Sequence, residues 1–108
     1  MIPIVNKIYN CFDDGKINPS RLYTVKIKEI IPASDIDQET KDIWTYVKNT
    51  CHWLYAESTD YFIKYEDGEC GEDGIFVRTK DGGWFGIGDY YNSGRLDVDG
   101  KLTETLNI

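Results

Sequence analysis

Ser20-Arg21-Leu22-Tyr23-Thr24-Val25-Lys26-Ile27-Lys28-Glu29-Ile30-Ile31 is the longest strand pattern in the chain, and its reading decides the fold. Tyr23, Val25, Ile27 and Ile31 fall on one face, while Thr24, Lys26 and Lys28 fall on the other. Such period-2 alternation marks a strand with one buried and one solvated side, as antiparallel sheets have. Pro32 ends the pattern, because proline has no N–H to give to a ladder.

Outward from this strand, one dipeptide punctuates the sequence. Asp precedes Gly at positions 14, 67, 73, 81 and 99, so five of the ten glycines follow an aspartate. Asp-Gly suits tight turns, since Gly tolerates positive φ and Asp bonds its own backbone. Short β-branched and aromatic runs lie between these marks. They predict strands at Tyr61–Tyr65, Gly74–Lys80, Trp84–Gly88 and Arg95–Val98, with a last one at Lys101–Leu106. Gly74–Lys80 and Trp84–Gly88 pair as a hairpin about Asp81-Gly82-Gly83, and Arg95–Val98 and Lys101–Leu106 about Asp99-Gly100. In Gly74–Lys80, either Ile75 and Val77 or Phe76 points inward.

A single helix is predicted over about 35–52, capped by Ser34 or Asp35 and carrying Asp35, Asp37 and Glu39 near its start. Ile36, Ile43, Val47 and Leu54 form its apolar stripe, widened by Trp44 and Cys51, with Lys41 and Lys48 facing outward. The aromatic group Trp53, Tyr55, Tyr61, Phe62 and Tyr65 is expected to line the sheet. The fold class is therefore α+β: one helix packed on a curled antiparallel sheet of five or six strands. Because Trp84-Phe85-Gly86-Ile87-Gly88 is glycine-rich, a partly open small barrel is a variant of the same reading.

The 108 residues have room for one core, so the expectation is one domain over 1–108. No apolar run approaches the roughly 20 residues of a membrane span, and the start lacks a signal-peptide pattern, which predicts a cytoplasmic protein. Cys11, Cys51 and Cys70 are too scattered for a disulfide framework. The net charge of −7 resides wholly in residues 55–108, since the first half is balanced. Its densest stretch runs from Glu57 to Asp73, opposed only by Lys64. That balance repels phosphate backbones and argues against direct nucleic-acid binding. It permits a protein partner with a basic surface, although solubility alone accounts for charged loops.

Chemistry-bearing motifs are sparse. Calcium-loop spacing fails at both candidate turns: about Gly100, Arg95 and Leu106 occupy the first and twelfth positions, and about Gly15, Arg21 occupies the twelfth. Zinc is disfavoured because no close cysteine pair exists, and no phosphate loop or nucleophile elbow is present. No cofactor is predicted. His52, the sole histidine, adjoins Cys51, so any Cys–His chemistry must use it. Trp84, Phe85, Tyr90 and Tyr91 cluster beside Arg95, and exposed loop tyrosines suit protein recognition.

The segments Tyr9-Asn10-Cys11-Phe12-Asp13-Asp14-Gly15-Lys16, Trp53-Leu54-Tyr55-Ala56, Phe76-Val77-Arg78-Thr79, Gly82-Gly83-Trp84-Phe85 and Gly94-Arg95-Leu96-Asp97-Val98-Asp99-Gly100 resemble short proteins of gut bacteria and their phages or mobile elements that have no assigned function. The resemblance implies context alone: small accessory genes of this kind often encode proteins that block or tune a host factor. The leading expectation is a non-enzymatic acidic protein that occludes a basic surface of a host macromolecule. Its contact residues would be Glu66, Asp67, Glu69, Glu72, Asp73, Tyr90, Tyr91 and Arg95. One alternative is a ligand binder or enzyme with a helix–sheet cleft using His52 and a cysteine, favoured by a pocket holding His52 and a carboxylate. Another is a phage structural protein that self-associates through a sheet edge.

Overall fold

The strand opened by Leu22 does not keep one face. In the computed structural model, which describes residues 2–13, 22–68, 71–87 and 94–98, β2 (Leu22–Pro32) pairs with β3 (Tyr61–Asp67). The register runs from Ile27 opposite Tyr65 directly to Glu29 opposite Lys64, so Lys28 is an extra residue. A one-residue bulge exchanges the two faces of everything beyond it. Val25 and Ile27 point into one core and Ile31 into another, with Ile30 taking the inner position. The expectation that Ile31 shares a face with Val25 and Ile27 is corrected by this bulge.

Three further strands, β4 (Asp73–Arg78), β5 (Trp84–Gly86) and β6 (Gly94–Asp97), continue the antiparallel meander, and β6 returns to pair with β1 (Ile8–Asp13). Among the described residues the result is a closed six-stranded barrel with one α-helix, α1 (Gln38–Thr50), between β2 and β3. The ring is fully closed rather than partly open. Its sixth described strand is β1, which the sequence pattern did not announce; the predicted strand at 101–106 lies outside the described residues.

A small barrel closes only if its lumen fills, and all six strands contribute. Tyr9 and Cys11, Val25 and Ile27, Ile63 and Tyr65, Phe76, Trp84 and Leu96 form the inner core, from β1 to β6 in turn. Glycines make room for the larger rings. Gly74 lies opposite Tyr65, whose ring atoms stand 2.4–2.7 Å from where a Cβ would be, and Tyr65 stacks on Phe76 at 4.1 Å between centroids. At Gly94 a Cβ would meet the Tyr23 hydroxyl at 2.6 Å and the Cys11 sulfur at 2.8 Å.

The second core lies outside the barrel, between its wall and α1. Phe62, Val77 and Phe85 project outward from β3, β4 and β5, and Ile36, Tyr55 and Ile87 complete the layer. Thus β4 is buried on both sides, with Phe76 in the lumen and Val77 beneath the helix. Both sequence alternatives for this strand hold at once.

The helix begins later than expected. Ala33–Asp35 is a 3₁₀ turn, and Asp37 is the N-cap, its carboxylate accepting the Thr40 N–H at 2.7 Å. That backbone bond, with help from the Thr40 hydroxyl, holds the Asp37 carboxyl below its ordinary value. The half-buried stripe packed on this layer is Trp44, Val47 and Cys51, with Trp44 edge-on to Phe62 at 5.4 Å. Ile43 is 40% exposed and stands off this stripe. The stripe is rotated toward Trp44, because a bulky indole reaches Phe62 across the layer.

Candidate functional site

The segment after α1 is tied back to the barrel. Tyr55 bridges to Thr79, the Ala56 N–H donates to the Arg78 carbonyl at 3.1 Å, and the Lys80 N–H donates to the Leu54 carbonyl at 2.9 Å. The Tyr55 hydroxyl donates to the Gly86 carbonyl at 2.7 Å. Burial holds this phenol well above its ordinary pKa, so it stays a donor. These bonds bring the last turn of α1 and its following turn against the end of β4.

A cleft of about 410 Å³ opens there, lined by Lys48, Asn49, His52, Tyr55, Ala56, Glu57 and Lys80. Its volume lies in the range of small-molecule sites, roughly 300–1,000 Å³. Lys48 is held in place: its Nζ lies 4.0 Å from the Trp44 ring centre and donates to the Glu57 carbonyl at 3.1 Å. An ammonium has three donors, so this bond leaves two. Lys48 also offsets the negative C-terminal end of the helix. Tyr55 also lines the cleft, with its hydroxyl already engaged by the Gly86 carbonyl.

The acidic candidates occupy the other end of β4. Asp67 is buried and shapes the β3–β4 turn, its N–H donating to the Glu72 carbonyl at 2.8 Å and its carbonyl accepting from Gly71. Glu66 and Asp73 face each other across the two strands. Lys28 approaches Glu66 at 3.6 Å and Lys64 approaches Asp73 at 3.8 Å. Glu72 is exposed. The sequence therefore gathers Glu66, Asp67, Glu72 and Asp73 at one hairpin, where lysines interleave with them. Glu69, Tyr90 and Tyr91 lie outside the described residues.

Arg95 is not with these acids. It sits on β6 and bridges Asp81 of the β4–β5 turn at 3.2 Å. Asp81 also accepts from the Thr79 hydroxyl and, at 3.2 Å, from the Gly83 N–H. The Thr79 bond, more than the Gly83 N–H or the Arg95 charge, holds the Asp81 carboxyl below its ordinary value. Among the six residues of β4, the acidic hairpin is at the start and the basic cleft is just past the end. Strand rise puts roughly 20 Å between them.

Of the cysteines, Cys11 is in the lumen, donating to the Tyr23 hydroxyl at 3.2 Å, and Cys51 packs in the outer core. Neither lines the cleft, and Cys70 is outside the described residues. No group of three or more His, Cys, Asp or Glu among the described residues is placed to hold a metal. No helix among them is long and apolar enough to cross a membrane. His52 was legible as a candidate; Lys48, Asn49, Glu57 and Lys80 were not, because Lys80 joins them only through pairing of residues 54–56 with 78–80. Comparison with protein families, curated proteins and solved structures found nothing that matches the chain.

Proposed function

We propose that the chain is a non-enzymatic binding protein that takes a small anionic ligand in the cleft between α1 and the barrel. The carrying observation is the concentration of Lys48, Lys80 and His52 around one cavity in a chain of net charge −7. Two ammonium groups, an imidazole and the Asn49 amide face a single carboxylate, Glu57. His52 and Glu57 share this cavity, the arrangement that the enzyme alternative calls for; binding is preferred because the described residues bring no nucleophile to it, Cys11 lying in the lumen and Cys51 in the outer core.

Titrating the ¹⁵N-labelled protein with inorganic phosphate, acetate and a neutral sugar tests this. Amide shifts confined to residues 48–57 and 78–80, present for the anions and absent for the sugar, are expected. Uniform small shifts, or shifts centred on the β3–β4 hairpin, would remove the cleft as the site.

A second reading is occlusion of a basic protein surface by the acidic half of the chain, within the cytoplasm of a bacterial host. The gathering of Glu66, Asp67, Glu72 and Asp73 at one turn supports it. Capture of a partner that ignores salt, and ignores charge reversal at Glu66, Asp67, Glu69, Glu72 and Asp73, would sink it.

A further inference from the structure

Resting on the cleft reading, we infer that the ligand is a phosphomonoester carrying a planar aromatic ring, the chemistry of a nucleoside monophosphate, and that Trp53 is the residue that selects the ring. Two independent observations meet here. The first is the kind of cation in the cleft. Its lysines, Lys48 and Lys80, are point charges, and among the described residues no arginine lines the cavity. Arginine's flat fork matches a planar carboxylate, whereas separated ammonium groups can surround the oxygens of a tetrahedral phosphate. With one His52 N–H and the Asn49 amide, the wall holds donors enough for three terminal oxygens.

The second observation is Trp53 itself. It is 68% exposed, although tryptophan is among the residues most buried on average. The sequence pattern placed it against the sheet; instead the chain turns after α1 and leaves its ring in water. It does not stand alone, because it meets the His52 ring edge-on, centroids 5.6 Å apart and planes at 82°. One neighbour thus lines the cavity while the other presents a largely exposed aromatic face next to it in the chain. A ligand whose phosphate sits among Lys48, His52 and Lys80 can lay its ring on that face. Stacking of a base on an aromatic side chain strengthens binding roughly tenfold to a hundredfold.

The probes are adenosine monophosphate, inorganic phosphate and adenosine, followed by calorimetry on the full chain. Adenosine monophosphate should bind at least about tenfold tighter than phosphate, and adenosine should bind weakest. Trp53→Ala should bring adenosine monophosphate down to the level of phosphate while leaving phosphate itself unchanged. Lys80→Ala should weaken both phosphate-bearing probes alike, and Glu57→Gln should tighten both. All three residues are exposed, so thermal melts of the variants should match the parent.

Equal affinity for adenosine monophosphate and phosphate, with no effect of Trp53→Ala, would overturn the assignment of the ring while the anion cleft stands. Equal affinity for adenosine and adenosine monophosphate would overturn the phosphate. Failure of every anion to bind would overturn the cleft reading as well.

Discussion

Replacing Gly74 by alanine sets local preference against packing. In the interior of a strand, glycine is less favourable than alanine by roughly 0.5–1 kcal/mol, so backbone propensity alone makes Gly74→Ala a stabilising change. The barrel reverses the sign. A Cβ at position 74 would lie 2.4 Å from the Cζ and hydroxyl of Tyr65 and 2.7 Å from its Cε1. Tyr65 is 1% exposed and stacked on Phe76, so its ring cannot swing aside. Overpacking of this kind costs about 1–3 kcal/mol, which exceeds the propensity gain. A clash near the middle of that range, less the propensity gain, leaves a net loss of about 1 kcal/mol, a fall in Tm of about 4–8 °C for a domain near this size. Urea unfolding followed by circular dichroism measures it directly. Tyr65→Leu removes the atoms that the new methyl strikes, so Gly74→Ala in that background should be harmless, giving a coupling of about 1 kcal/mol, within the usual range for touching residues. Gly82→Ala is the control. No atom lies within 4 Å of its Cβ position, so the cost there is that of its positive φ, about 1 kcal/mol. A neutral or stabilising Gly74→Ala would refute the close approach of β3 and β4 in the lumen.

Further outcomes follow from other contacts. Tyr55→Phe leaves the buried Gly86 carbonyl without its donor, and should cost about 1–3 kcal/mol in the same urea assay. Asp81→Asn tests a pH dependence. The folded carboxyl is held below its ordinary value, so its contribution is present above that value and lost as the pH falls through the lower folded one. The Asp81→Asn protein should therefore show a flatter stability profile on the acid side, by less than about 1 kcal/mol since the group is largely exposed. Ile43→Lys should change stability by no more than about 0.5 kcal/mol, whereas Phe62→Ala should cost about 3–5 kcal/mol. Similar costs for the two would contradict the rotation of the helix stripe toward Trp44.

The strands were largely readable because turn chemistry and alternation are local signals. Asp-Gly marks and β-branched runs located β2, β3, β4 and β5, with the β4–β5 hairpin placed about Asp81-Gly82-Gly83 as found. Two features escaped for physical reasons. Ile8-Tyr9-Asn10-Cys11-Phe12 alternates only as far as Cys11, because Phe12 is buried too, so β1 lacks a polar outer row. The bulge at Lys28 has no sequence mark, since neither glycine nor proline is there, and Ile30-Ile31 reads equally well in either register. Within the site, His52 drew notice as the sole histidine, but its partnership with Lys80 depends on backbone bonds from 54–56 to 78–80. The run of aromatic residues points Trp53 inward with Tyr55, yet only Tyr55 is buried.

The pairing of β1 with β6 also has a consequence during synthesis. Residues 8–13 emerge about eighty residues before one of their two neighbours, residues 94–97. At translation rates of roughly 5–20 residues per second, that is an interval of several seconds. Throughout it, the nascent chain can form the β1–β2–β3–β4 meander but not the ring. Tyr9 and Cys11 then lack the cover of Leu96, and β1 presents a row of free amides and carbonyls. A pause anywhere between residues 13 and 94 prolongs that exposure, so the speed of translation through the middle of the message bears on how much of the protein reaches its closed form.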